Sequence, residues 1–151
     1  MLRRCAPWLF IALLLAFPTS AEPAADRFAV AGITAAQARS MLEALQNGLR
    51  TDDRARIAEL VEYPLRVNSS GTHKVISGRS EFLSNFSSVF TSEIRQQVLA
   101  QQFDQLFVNW RGVMLGNGAI WFSGVCDSDS PAGTCTNLRV RIIAINLDGP
   151  R

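Results

Sequence analysis

Leu106-Phe107-Val108-Asn109-Trp110-Arg111-Gly112-Val113-Met114-Leu115, then Gly116-Asn117-Gly118, then Ala119-Ile120-Trp121-Phe122-Ser123-Gly124-Val125, is the stretch that decides the fold class. Both flanking runs are rich in branched and aromatic residues, which suit a half-buried pleated surface. Asn-Gly between them favours the turn whose twist matches the strands, so the two runs read as a hairpin. Gly112 inside the first run reads as a bulge. A third run of the same texture spans Leu138 to Asn146.

Upstream, the period changes. Thr34 followed by Gln37 is a capping box, and Ala38, Met41, Leu42, Leu45 and Leu49 recur at helical spacing up to Arg50. Thr51, Asp52 and Asp53 offer a fresh cap for a second helix through Ile57, Leu60 and Val61, which Pro64 stops. Leu65 to Asn68 and Lys74 to Ser77 read as short strands around the turn Ser69-Ser70-Gly71. Helical spacing returns from Phe82 to Phe90. A capped turn at Thr91 then leads into Ile94, Val98 and Leu99. Helices first and long strands last mean an α+β fold, with N-terminal helices packed on a curved, mostly antiparallel β-sheet.

The order of elements from Thr34 to Asn146 resembles that of the NTF2-like superfamily, the cone-shaped fold shared with ketosteroid isomerases and scytalone dehydratase. A nearer resemblance is to small exported bacterial NTF2-like proteins. It is carried by Val61-Glu62-Tyr63-Pro64-Leu65-Arg66-Val67-Asn68, by Leu106 to Gly118 as quoted, and by Ile120-Trp121-Phe122. The resemblance implies a cone with a pocket and, as in many NTF2-like dimers, a sheet face that pairs with a second sheet. No position matches a catalytic motif of the superfamily.

Export is expected from the N-terminus. Arg3 and Arg4 precede a short apolar run from Trp8 to Phe17, and Pro18, Thr19 and Ala21 form a cleavage site, so residues 1–21 read as a signal peptide. Residues 22–33 are a short lead and 34–151 a single domain. The whole chain of 151 residues carries a formal charge of +2, but cleavage after Ala21 removes two arginines and no acid. The mature protein is therefore balanced in charge and is expected in the periplasm or outside the cell, with no membrane insertion. Cys126 and Cys135 remain as an even pair, best read as a structural disulfide across a turn-rich loop. A composition 48% apolar and 19% charged excludes a disordered chain.

Alternation along the strands selects candidate surfaces. With Gly112 keeping register, Leu106, Val108, Trp110 and Met114 share one face, opposite Phe107, Asn109, Arg111, Val113 and Leu115. In the last run Leu138, Val140, Ile142 and Ala144 oppose Arg139, Arg141, Ile143 and Ile145. Arg111, Arg139, Arg141 and Ile143 are thus the candidate partner surface, for a homodimer or a periplasmic partner protein. Tyr63, Asn109, Trp110 and Trp121 are the candidate ligand-binding residues. His73 is the one imidazole base, and a catalytic role for it would need an acid such as Asp104 within reach.

Other chemistries lack their residues. One histidine and the two cysteines left once Cys5 leaves with the signal segment, without Cys-x-x-Cys spacing, give no usual zinc set, so no metal or cofactor is expected. There is no nucleophile elbow and no phosphate-binding glycine loop opening a helix. Arginines interleaved with acids, as in Asp52-Asp53-Arg54-Ala55-Arg56, argue against nucleic acid and read as a salt-bridged helix face. The sequence alone therefore points to an exported, non-catalytic protein that binds a partner or a small ligand. A small cone-pocket enzyme of isomerase, dehydratase or hydrolase type, using His73 and Asp104, is the alternative.

Overall fold

The computed structural model describes residues 26–127, 135 and 137–148, so the signal segment and its cleavage site at Ala21 lie outside the described residues. Asp26 caps a 3-10 turn over Arg27–Ala31, and Phe28, Ala31 and Ile33 are buried with the main core. This part of the expected lead therefore packs as part of the domain.

Helix α1, Ala35–Arg50, starts at the capping box read from the sequence. Thr34 Oγ1 accepts from the Gln37 N–H at 3.2 Å, and Gln37 Oε1 accepts from the Thr34 N–H at 2.9 Å. Its apolar stripe, from Ala38 through Leu45 to Leu49, is buried. Gln46 lies on the same side, and its amide donates to the carbonyls of Val98 and Gln101, both at 2.9 Å. Those groups end a later helix, so one side chain satisfies orphan carbonyls and joins two helices. Helix α2, Arg54–Glu59, is capped by Asp53. Asp52 before it is shared by Arg54 and Arg95, each at 3.2 Å, as the charge pattern suggested.

Strand β1, Val61–Ser69, begins earlier than expected: α2 ends at Glu59, and Val61 and Pro64 belong to the strand. A proline is tolerated there because pairing with the neighbouring strand is irregular between Val61 and Arg66. Ser70 and Gly71, with φ of 45° and 81°, make the tight turn into β2, Thr72–Ile76. The helical stretch at Phe82 is divided: α3 is Arg79–Ser84, α4 is Phe86–Val89 and α5 is Ser92–Ala100. Thr91 caps α5 through the Ile94 N–H.

The run from Leu106 to Leu115 is not one strand. It folds back on itself as β3, Phe107–Asn109, and β4, Gly112–Leu115, with Val108 paired to Val113. Asn109 Oδ1 accepts from the Arg111 N–H at 2.8 Å, which fixes the reversal at Trp110-Arg111. Gly112 takes φ 138°, and a Cβ there would stand 2.6 Å from the Phe122 carbonyl oxygen. Its glycine marks a turn and a close approach, not a bulge. Beyond Gly116-Asn117-Gly118, strand β5, Ile120–Cys126, forms the expected hairpin with β4.

Strand β6 is Leu138–Asn146, as read from the sequence. Its pairing shifts by one residue opposite Trp121 and Phe122, so Ile142 and Ile145 are both buried. Ile145 therefore points to the core and Ala144 to the opposite face, reversing the simple alternation. The six strands lie in the order β2-β1-β6-β5-β4-β3, with β1 parallel to β6 and the other neighbours antiparallel. The fold is α+β, with a mixed sheet.

Phe82, Phe86, Phe90 and Phe122, with Leu45, Leu65 and Ile142, are buried between the helices and one sheet face. Cys126 and Cys135 are bonded, and Asp127 N–H donates to the Asn137 carbonyl at 3.2 Å at the base of the same loop. In the chain-entropy account, closing so short a loop stabilises by about 2–3 kcal/mol.

Candidate functional site

Register decides what the helix-free face carries. Val67, Ile145, Ile120 and Leu115 are paired in a row across four strands, and all are buried. The adjacent row, Arg66, Ala144, Trp121 and Met114, must point the other way. It forms the floor of an open groove of about 580 Å³ on the face opposite the helices. The tip of the β1–β2 hairpin, Ser69 to Thr72, borders it on one side and Arg111 on the other. Asp148 also lines the groove, with its carboxylate turned to the Ser70 N–H of that hairpin tip.

A chain of side-chain hydrogen bonds crosses the groove. Arg66 Nε donates to Asn68 Oδ1 at 2.8 Å, and Asn68 Nδ2 donates to Asn146 Oδ1 at 2.7 Å. Asn146 Nδ2 then donates to the Gly118 carbonyl at 2.6 Å. The direction is fixed at both ends, because a guanidinium can only donate and a carbonyl can only accept. The relay ties β1, β6 and the β4–β5 turn together along the groove. Among the described residues, Arg66 and Arg111 form no ion pair. Arg111 lies over the Trp110 ring, 5.0 Å from its centroid.

The expected site residues are dispersed. Of the four ligand-binding candidates, Trp121 alone lines this groove. Asn109 is used in the β3–β4 turn, and Trp110 stands at its tip, 73% exposed. Tyr63 belongs to the helix side, where its ring meets Phe82 edge-on and its hydroxyl donates to the Ala58 carbonyl at 3.1 Å. Of the partner-surface candidates, Arg111 and Ile143 line the groove. Arg139 is ion-paired with Asp127, and Arg141 donates to the Val140 carbonyl at 3.0 Å. His73 is in β2 and also lines the groove, but Asp104 sits just before β3. Since β2 and β3 are opposite edges of the sheet, the pair is not brought together.

Arg66, Asn68 and Asn146 are the groove residues that sequence reading passed over. The signal available was the strand alternation itself, in which polar Arg66 and Asn68 alternate with buried Leu65 and Val67. Among the described residues, no cluster of His, Cys, Asp and Glu is placed to hold a metal ion, and no helix is long and apolar enough to cross a membrane. No family model, no curated protein and no solved structure matches the chain.

Burial pushes the Tyr63 phenol up to about 12 from its ordinary 10.0. The folded state thus favours the neutral phenol. That contribution is whole below pH 10 and is lost between pH 10 and 12, as the unfolded chain ionises first. Tyr63 is the single tyrosine, so its phenolate absorbance near 295 nm reports it alone. Absorbance is expected to rise near pH 12 in the folded protein and near pH 10 in urea. Tyr63→Phe should flatten the loss of urea stability over that interval. Coincident titrations with and without urea would count against the assigned burial.

Proposed function

We propose that this chain is an exported NTF2-like protein that binds rather than catalyses, and that the helix-free sheet face takes a small ligand. The observation that carries this reading is the groove over Ala144, Trp121 and Met114. The other side of the sheet is filled by core phenylalanines, whereas this side offers a concave surface with an apolar floor and a few convergent polar groups. The bonded Cys126 and Cys135 suit an oxidising compartment, in agreement with the signal-like N-terminus. The order of helices and strands is compatible with the NTF2-like plan. An enzymatic reading built on His73 and Asp104 has no dyad to work with, since the two stand at opposite sheet edges.

A second reading, a homodimer or a partner protein on the same face, has its own support. Phe107 is paired with Met114 and is 51% exposed, and Trp110 at the tip of the same β3–β4 hairpin is also exposed. Apolar groups left open at a sheet edge invite a cover.

Native mass spectrometry of the chain recovered from the periplasm tests both. The expected species begins at Glu22, lacks the two thiol hydrogens of Cys126 and Cys135, and sheds a small molecule on collisional activation. Retention of residues 1–21, or free thiols, would overturn the export reading. A ligand-free dimer that Phe107→Glu dissociates would transfer the face to the partner reading.

A further inference from the structure

We infer that the groove is a site for a small organic anion, a carboxylate on an apolar body, held by Arg66 at the amide relay and rested on Trp121 and Met114. The inference rests on the ligand-binding reading above and names the chemistry of the ligand.

The relay determines which hydrogen-bonding capacity is left for a ligand. Asn68 and Asn146 each use one lone pair of their oxygen on the preceding donor and one N–H on the next acceptor. Each retains a second amide N–H, and Arg66 retains its two terminal nitrogens after Nε is used. On Arg66, Asn68 and Asn146 together, the capacity left for a ligand is therefore mostly donor. Arg111 adds another guanidinium at the far side of the floor. Among the described residues the groove's acid is Asp148, whose carboxylate is engaged with the backbone of the hairpin tip at Ser70. A surface rich in unspent donors and cationic groups is complemented by an acceptor that carries negative charge, and a carboxylate matches the planar guanidinium fork.

The body of the ligand is set by the floor. Ala144, Trp121 and Met114 lie side by side on neighbouring strands, with Ile143 beside them at the register shift. They form an apolar strip leading away from the Arg66 end. A hydrated inorganic anion would leave that strip uncovered. A molecule with a flat apolar part covers it, and the groove volume of about 580 Å³ is within the range of pockets for small molecules.

The test uses the mature, disulfide-bonded protein and two probes of the same shape, 4-phenylbutyrate and the neutral 4-phenylbutyramide. Binding is followed by isothermal titration and by perturbation of the Trp121 indole resonance. The carboxylate is expected to saturate and to bind ~10-fold or more tightly than the amide. Arg66→Gln is expected to weaken the carboxylate ~10-fold or more and to leave the amide unchanged. Arg79→Gln, which removes a guanidinium near Glu59 on the helix side, should change neither. An unchanged melting temperature for Arg66→Gln shows that the loss is local.

Equal affinity for the two probes would overturn the anion assignment while leaving a ligand-binding groove. No saturable binding of either probe would overturn both. Binding of the carboxylate that Arg66→Gln does not weaken would place the anion elsewhere and also sink the inference.

Discussion

Phe82→Ala is expected to lower the unfolding free energy by about 3–5 kcal/mol, the largest effect of any single truncation considered. Phe82 is fully buried and stands edge-on to three rings: Tyr63 at 6.2 Å, Phe86 at 5.7 Å and Phe90 at 6.1 Å. Removing it takes away apolar burial and leaves a cavity in a cluster that cannot close, because Phe86 and Phe90 are already stacked on each other at 5.2 Å. Edge-to-face contacts add about 0.5–1.5 kcal/mol per pair beyond area. The helices involved are short: α3 has six residues and α4 has four. Helices of that length do not persist without packing, so the change should also loosen residues 79–90. Urea unfolding and amide exchange together check this. A loss below about 1 kcal/mol would mean that the aromatic cluster is not a keystone of the core.

Gly112→Ala is expected to cost about 2–4 kcal/mol, although it adds one methyl group. Two penalties coincide. The backbone has φ 138°, a region that residues with a side chain rarely adopt, and the new carbon would lie 2.6 Å from the Phe122 carbonyl oxygen. That oxygen belongs to the middle of β5 and cannot swing aside as a side chain would. The strain should therefore be relieved by parting the start of β4 from β5, with Arg111 moving away from the groove. The measurements are a urea midpoint and amide exchange of residues 107–115. Wild-type exchange there in the variant would refute the proposed path of relief.

The sequence announced its local grammar better than its long-range geometry. The Thr34–Gln37 box, the cap at Thr91 and the limits of β6 could be read because each depends on neighbours a few residues away. The β3–β4 reversal was also written locally, in Asn109 and Gly112 at the first and fourth positions of a turn. It was obscured because Trp110 and Arg111 between them continue the texture of a strand. The faces of β6 could be read only as far as Ile142. Alternation assigns Ile145 to the side of Arg139 and Arg141, and the one-residue shift that buries it depends on Trp121 and Phe122 of another strand.

The groove was partly legible for the same reason. Trp121 was named as ligand-lining and Arg111 and Ile143 as partner surface, but the relay from Arg66 to Gly118 joins residues far apart in sequence. Asn68 and Asn146, for instance, are 78 positions apart. Nothing in one strand says which polar residue its neighbour will present. His73 and Asp104 failed as a pair for a related reason: proximity across a sheet is set by strand order.

Strand order also dictates the schedule of folding. Without β6, the sheet is two unconnected pieces, the β1–β2 hairpin and the β3–β4–β5 meander, each paired only between strands adjacent in sequence. Strand β6 enters between them, and its parallel contact with β1 closes a loop of most of the domain. Such distant contacts are slow, because the chain entropy is lost before the contacts that offset it are made. The central sheet therefore cannot be completed until residues 138–146 have been synthesised, whatever the stability of the helices.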